Sequence, residues 1–269
     1  MFSRLAACAA VFLCAMPVHA DPVDALLDAM KIHDLVEIMR EEGRGYAADL
    51  AKDMLPAGES ANWRQSIDRL YAPEAMEEVV RTGFAQSLGD TDVTPLLAYF
   101  TSDEGQKVVD LELGARREMI DEAVEAEARD ALRRREVGQD SRLDRLDRFV
   151  AANDLLETNV VGALNSSFQF YLGLVDGGGL EMTEPEIVEE VWMQEEATRS
   201  DTREWLYAYL LKAYEPLSDA ELDAYTDISA TPEGMALNRA LFAGFNHMYE
   251  EISYGLGLAA AREMMAQDL

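Results

Sequence analysis

Along most of the chain apolar residues return every three or four positions, and acids, arginines and alanines fill the gaps between them. That spacing gives a helix one apolar side. From Asp103 to about Arg135 the stripe Val109, Leu113, Ile120, Val124 and Ala131 predicts one long helix, with Val108, Leu111, Ala115 and Met119 beside it. From Pro232 to about Tyr254 a second long helix is predicted by Met235, Leu241, Phe242, Phe245, Met248, Tyr249 and Ile252. Few segments alternate with the period of two that a strand needs. The predicted class is all-α, a multi-helix bundle whose stripes bury against neighbouring helices.

Helix starts and stops support that class. Thr183-Glu184-Pro185-Glu186 and Ser218-Asp219-Ala220-Glu221 have the form of capping boxes, in which residues three apart satisfy each other's backbone donors. Thr231-Pro232-Glu233 and Ala72-Pro73-Glu74 place proline and an acid in a first turn, and Ser102-Asp103-Glu104 does so without proline. Stops are expected at Leu55-Pro56-Ala57-Gly58, at Gly138 and at Gly177-Gly178-Gly179.

Overlaying these signals suggests an internal duplication. Thr101-Ser102-Asp103-Glu104-Gly105 matches Ala230-Thr231-Pro232-Glu233-Gly234 at an offset of 129. Each copy follows a short helix carrying aromatics, Tyr99 and Phe100 in one and Tyr225 in the other, and each precedes a long helix. Upstream, Asp34-Leu35-Val36-Glu37 matches Asp154-Leu155-Leu156-Glu157 at an offset of 120. The expectation is a single helical domain over 21–269, built from weakly similar halves at roughly 21–138 and 139–269.

The same stretches, Leu96 to Lys107 (LLAYFTSDEGQK) and Leu217 to Leu237 (LSDAELDAYTDISATPEGMAL), resemble the bacterial family known as domain of unknown function 2059. The shared pattern is a short aromatic helix, a Ser/Thr-Pro-x-Gly turn or near variant, then a long helix. Asp103 stands where the family usually has proline, and Asp227-Ile228-Ser229 replaces the expected aromatic pair. The resemblance implies an exported all-helical protein and assigns it no activity.

The N-terminus has the layout of a secretory signal: Arg4, an uncharged apolar run from Leu5 to Met16, then small residues before Asp21. Cleavage is expected after Ala20, because the run is shorter than the ~18–20 residues that span a bilayer. Leu5-Ala6-Ala7-Cys8 has the look of a lipidation site, but its apolar stretch follows the cysteine instead of preceding it. The expected product is periplasmic or secreted, without a transmembrane anchor. Both cysteines, Cys8 and Cys14, leave with the leader. Thiol chemistry and cysteine-bound metal are then excluded, and a domain near this size needs no disulfide to bury a core.

Charge narrows the partners. The chain has 52 acids against 23 Lys plus Arg, a net of −29, and loss of Arg4 makes it −30. Such a field repels nucleic acid and anionic lipid. The acid is uneven, since Lys107 to Arg148 holds 12 acids and 10 bases and is close to neutral. Arg133-Arg134-Arg135 is the one basic run and reads as a solvated helix end opposing the helix dipole.

No residue is nominated as catalytic, cofactor-binding or metal-binding, and no cofactor is implied. His33 and His247 belong to no metal-ligand spacing. Asp90-Thr91-Asp92 begins like a calcium loop but lacks its central glycine and final glutamate. The doublets Glu195-Glu196 and Glu250-Glu251 point about 100° apart on a helix and do not face each other. Asp176-Gly177-Gly178-Gly179 lacks the Lys-Ser/Thr ending of a phosphate loop.

One stretch departs from the acidic background. Phe168, Phe170, Tyr171, Leu172, Leu174 and Val175 are uncharged and apolar, and fit either a buried central helix or a patch for a partner or apolar ligand. The expected function is binding of an envelope protein partner or apolar ligand without catalysis; the alternatives are envelope hydrolysis by carboxylates and periplasmic chaperoning or assembly. Oligomeric state is left open.

Overall fold

A computed structural model describes residues 21–55 and 58–267; the leader at 1–20, with Cys8 and Cys14, lies outside the described residues. Among those described, thirteen helices form and no strand. The first half supplies α1 (Pro22–Ala29), α2 (Ile32–Met54), α3 (Ala61–Leu70), α4 (Pro73–Leu88), α5 (Thr94–Phe100), α6 (Asp103–Glu118) and α7 (Glu122–Gly138). The second supplies α8 (Ser141–Ala152), α9 (Leu155–Asp176), α10 (Glu184–Met193), α11 (Glu195–Tyr214), α12 (Asp219–Ser229) and α13 (Pro232–Gln267).

Two long-helix expectations need correction. The helix predicted from Asp103 to about Arg135 is two helices, α6 and α7, broken at Met119–Asp121. Asp121 turns extended and accepts a hydrogen bond from Ala123 N at 2.8 Å, so it restarts the chain as an N-cap. The helix predicted to end near Tyr254 runs on to Gln267, 36 residues in all. Gly255 and Gly257 do not stop it, because they are contact points.

At Gly257 an added Cβ would collide with the Phe170 carbonyl oxygen of α9, and at Gly173 with the Tyr254 carbonyl oxygen of α13. Gly162 faces Asn246 and Gly173 faces Gly257, each 84 positions apart, so α9 and α13 run parallel at close range. Gly173 and Gly177, and Gly257 and Ala261, sit one turn apart along the seam, where small side chains let backbones approach. The other flank of α13 meets α4, where a Cβ on Gly83 would lie 2.9 Å from Gly244 Cα. Helix α13 is therefore wedged between α9 and α4.

Several helix pairs pack as neighbours in a similar order before and after residue 138. Helix α1 lies on α5 as α8 lies on α12, and α2 lies on α4 as α9 lies on α11. Helices α6 and α7 cover α11, much as α13 covers α4. The turns after α5 and α12 share their hydrogen bonds at the offset of 129. Ser102 Oγ caps Gly105 N at 3.1 Å and donates to Tyr99 O at 2.7 Å; Thr231 Oγ1 caps Gly234 N at 3.0 Å and donates to Ile228 O at 2.7 Å. The upstream match behaves differently. The left-handed residues that join α1 to α2 and α8 to α9 are Lys31 and Asp154, 123 apart, so the local geometry there aligns three positions away from the offset of 120.

The remaining signals fall where the pattern placed them. Glu221 accepts from Ser218 N at 2.7 Å while Glu221 N donates to Ser218 Oγ at 3.3 Å, closing a capping box; Glu186 accepts from Thr183 N at 2.8 Å. The turn after α9 uses Gly178 in the left-handed region, φ 79°. Helix α7 ends at Gly138, but the left-handed residue beyond it is Gln139.

One hydrophobic cluster spans both halves, from Leu26 and Leu27 of α1 to Ala259, Ala260 and Ala261 of α13. The near-neutral stretch from Lys107 to Arg148 acts as a tie between acidic flanks. Arg116 pairs with Glu42, Arg129 and Arg133 with Glu204, Arg142 with Asp219, Arg145 and Arg148 with Asp223, and Lys107 with Glu221. Each exposed pair adds little alone, but together they offset repulsion between acidic helices.

Gly257→Ala should cost about 2 kcal/mol by overpacking the α9–α13 seam. Gly45→Ala, an exposed α2 position with nothing within 4 Å of the new methyl, should gain about 0.5 kcal/mol. Urea unfolding of both variants checks the contrast, and equal effects would count against the close seam.

Candidate functional site

Helices α2, α9 and α13 diverge away from their contact points and leave space between them. A lower chamber of about 480 Å³ is lined by Glu42, Gly43 and Tyr46 of α2, Asn159 to Phe170 of α9, Asn246 to Leu256 of α13, and Tyr71. An upper chamber of about 330 Å³ is bounded by α2, α6, α8, α9, α11, α12 and α13. Met39, Asn159, Asn246 and Tyr249 line both, so the two spaces adjoin. Eight rings wall the upper chamber: Phe149, Trp205, Tyr209, Tyr214, Tyr225, Phe242, Phe245 and Tyr249. Trp205 and Tyr209 stack with centroids 5.2 Å apart, and Phe149 meets Tyr214 edge-on at 5.4 Å.

In a chain with 52 acids, three charged residues among those described line these chambers: Glu42, Glu112 and Arg116. Glu112 and Arg116 are four apart on α6 and project from the same side, one turn above the other. Arg116 is already satisfied. Its Nε and Nη2 each donate to Glu42 carboxylate oxygens at 2.8 Å, a bidentate pair, and Nη2 lies 3.4 Å from the Tyr249 hydroxyl.

Among the described residues Glu112 has no cationic partner. Tyr214 donates its hydroxyl to Glu112 Oε1 at 2.6 Å, and Tyr209 donates to the Glu112 backbone carbonyl at 3.2 Å. What surface Glu112 exposes faces the upper chamber. Burial pushes its carboxyl up to about 7, against the pull of the Tyr214 and Tyr225 hydroxyls. Burial also raises the phenols of Tyr209, Tyr214 and Tyr225, helped by the neighbouring carboxylate. They stay neutral donors. Tyr99, pushed up to about 12 by burial, stacks on Tyr225 at 5.9 Å just behind this wall.

The residues weighed in the sequence are elsewhere. His33 is exposed and pairs with Glu77 at 2.9 Å, which raises its pKa; His247 is exposed 3.4 Å from Glu251. Among the described residues no three His, Cys, Asp or Glu side chains are grouped to hold a metal. Asp92 caps Thr94 N at 3.0 Å, and Glu195 pairs with Arg199 at 2.6 Å. Arg133 and Arg135 of the basic run are ion-paired, with Glu204 and Asp130 and with Asp140 and Glu215.

The Phe168–Val175 stretch is neither wholly buried nor wholly free. Leu174 is buried and Phe170 and Tyr171 pack on the core, while Phe168, Leu172 and Val175 are half-buried and Phe170 also lines the lower chamber. Larger apolar exposure falls on α10, at Val188, Trp192 and Met193.

Sequence reasoning missed Glu42, Glu112 and Arg116. A signal was present for the last two. Gly105, Val108 and Val109 are buried on α6, and 112 and 116 continue that stripe, so an acid and a base four apart interrupt an apolar face.

Residues 74–134, from the first turn of α4 into α7, match the family called domain of unknown function 2059, described as an uncharacterized protein conserved in bacteria. The match includes Glu112, Arg116 and the resembling stretch Leu96–Lys107, and stops short of Leu217–Leu237. No curated protein and no solved structure matches the chain. Among the described residues no helix is long and apolar enough to cross a membrane.

The raised Glu112 pKa has a stability consequence with a definite sign. The unfolded carboxyl loses its proton near its ordinary value of 4.5, whereas the folded one holds it to about 7. The stabilising effect of the protonated form is complete below 4.5 and is lost as pH rises through about 7. Glu112→Gln should therefore gain about 2 kcal/mol relative to wild type between pH 4.5 and 7.5, after allowance for water in the chamber. Urea unfolding at the two pH values tests this, and parallel pH profiles would contradict it.

Proposed function

We propose that the protein is a non-enzymatic binding protein of the cell envelope that takes an apolar ligand into the chambers between α2, α9 and α13. The observation that carries this reading is the adjoining pair of chambers, about 480 and 330 Å³, walled by aromatic and aliphatic side chains with a few polar groups among them. Volume and lining of that kind suit a small organic ligand, with polar groups setting its orientation. Hydrolysis by paired carboxylates is less well supported. Both oxygens of Glu42 are held by Arg116, which leaves Glu112 without a free carboxylate partner.

We read the envelope as the place of action from the predicted leader and its cleavage after Ala20. The two halves, 21–138 and 139–269, are taken as related units of one domain. The shared capping at Ser102 and Thr231 and the parallel order of neighbouring helices support that relation.

Titration of the protein with the neutral dye N-phenyl-1-naphthylamine should give saturable, one-to-one fluorescence enhancement. Ala163, exposed where it borders the lower chamber, offers a way to obstruct it without disturbing the core. Ala163→Trp should weaken dye binding about tenfold, a change of about 1.4 kcal/mol, with an unchanged thermal melt. Absence of saturable binding to the wild-type protein would overturn the reading.

A further inference from the structure

The charge balance of the chambers bears on what they take. Arg116 is neutralised by the two-point contact with Glu42, so the cavity as a whole carries one uncompensated carboxyl, Glu112. Among the described residues its carboxylate takes a hydrogen bond from the Tyr214 hydroxyl at 2.6 Å, and Tyr209 donates to its backbone carbonyl at 3.2 Å. A buried carboxylate without a cation is costly, and the cost disappears when a cation arrives. The surroundings favour such a guest. Eight ring-bearing residues wall the upper chamber, and ring faces attract organic cations. The net charge of −29 draws cations toward the protein from solution. An anionic head group would meet Glu112 and find Arg116 already engaged.

We propose that the ligand is an organic ammonium whose cationic group sits against Glu112 among the rings of the upper chamber, with its apolar remainder passing Tyr249 and Met39 into the lower one. This rests on the binding reading above and assigns the ligand's chemistry. Glu112 is the specificity-determining residue. Tyr214 is a positioning residue, which fixes the carboxylate by donating to it and leaves its remaining lone pairs to the guest.

The test titrates the full-length protein by calorimetry with octyltrimethylammonium, octanoate and 1-octanol, all below micelle-forming concentrations. The three share one apolar chain and differ only in head-group charge. The ammonium should bind about tenfold tighter than 1-octanol, and octanoate should bind weakest. Glu112→Gln should erase the ammonium's advantage while 1-octanol affinity holds, and Glu112→Asp should retain it. Equal affinity for ammonium and alcohol in the wild-type protein, or a preference that survives Glu112→Gln, overturns the ammonium assignment and leaves the binding reading standing. Failure of all three probes and of the neutral dye overturns both. If Glu112→Gln does not fold, the wild-type comparison of ammonium with alcohol decides alone.

Discussion

The close parallel contact of α9 with α13 governs the rest of the molecule. Along that seam the glycines at 173 and 257 bring backbone against backbone, and a single methyl at either would strike a carbonyl oxygen. Dispersion forces fall off within a fraction of an ångström, so the packing there depends on residues with nothing to add. Its opposite flank packs along α4, and the two backbones come nearest at Gly83 and Gly244. Between these contacts the helices separate, and the side chains that fill the space, Tyr249 above all, leave room they do not occupy. The chambers lie where α2, α9 and α13 border one another without filling the space between them.

Much of this was legible from the order of residues, and what was not has a physical reason. Apolar periodicity and capping residues are local, so helices, their starts and the all-α class could be read directly. The break at Met119–Asp121 was hidden because the apolar stripe continues across it through Ile120 and Val124, and Asp121 is one acid among many. The extension of α13 was hidden because glycine lowers helix propensity, while here it serves contact with α9. The candidate site was harder still. Glu112 meets Tyr214 across 102 residues of chain, a contact that no local pattern in α6 announces. Its place on the buried stripe was a visible clue, read only once the neighbours were known.

Acidity divides into two kinds. Most carboxylates lie on the surface, and the arginines between Lys107 and Arg148 link many of them across helices. That distribution accounts for a nearly neutral segment in so acidic a chain: its bases are shared with acids of other segments. Glu112 is of the other kind. Among the described residues no guanidinium reaches it, its carboxylate takes its hydrogen bond from Tyr214, a phenol that burial keeps protonated, and burial raises its own pKa. The same residue type thus serves solubility outside and selectivity inside.

Helix α13 leaves the ribosome after the twelve helices before it, yet it covers apolar faces belonging to both halves. Until it is made, Met76, Val80 and Phe84 of α4 lack their main cover, and so does the Gly173 groove of α9. Closure of the core must then wait for contacts between distant parts of the chain, and such late, long-range contacts slow folding.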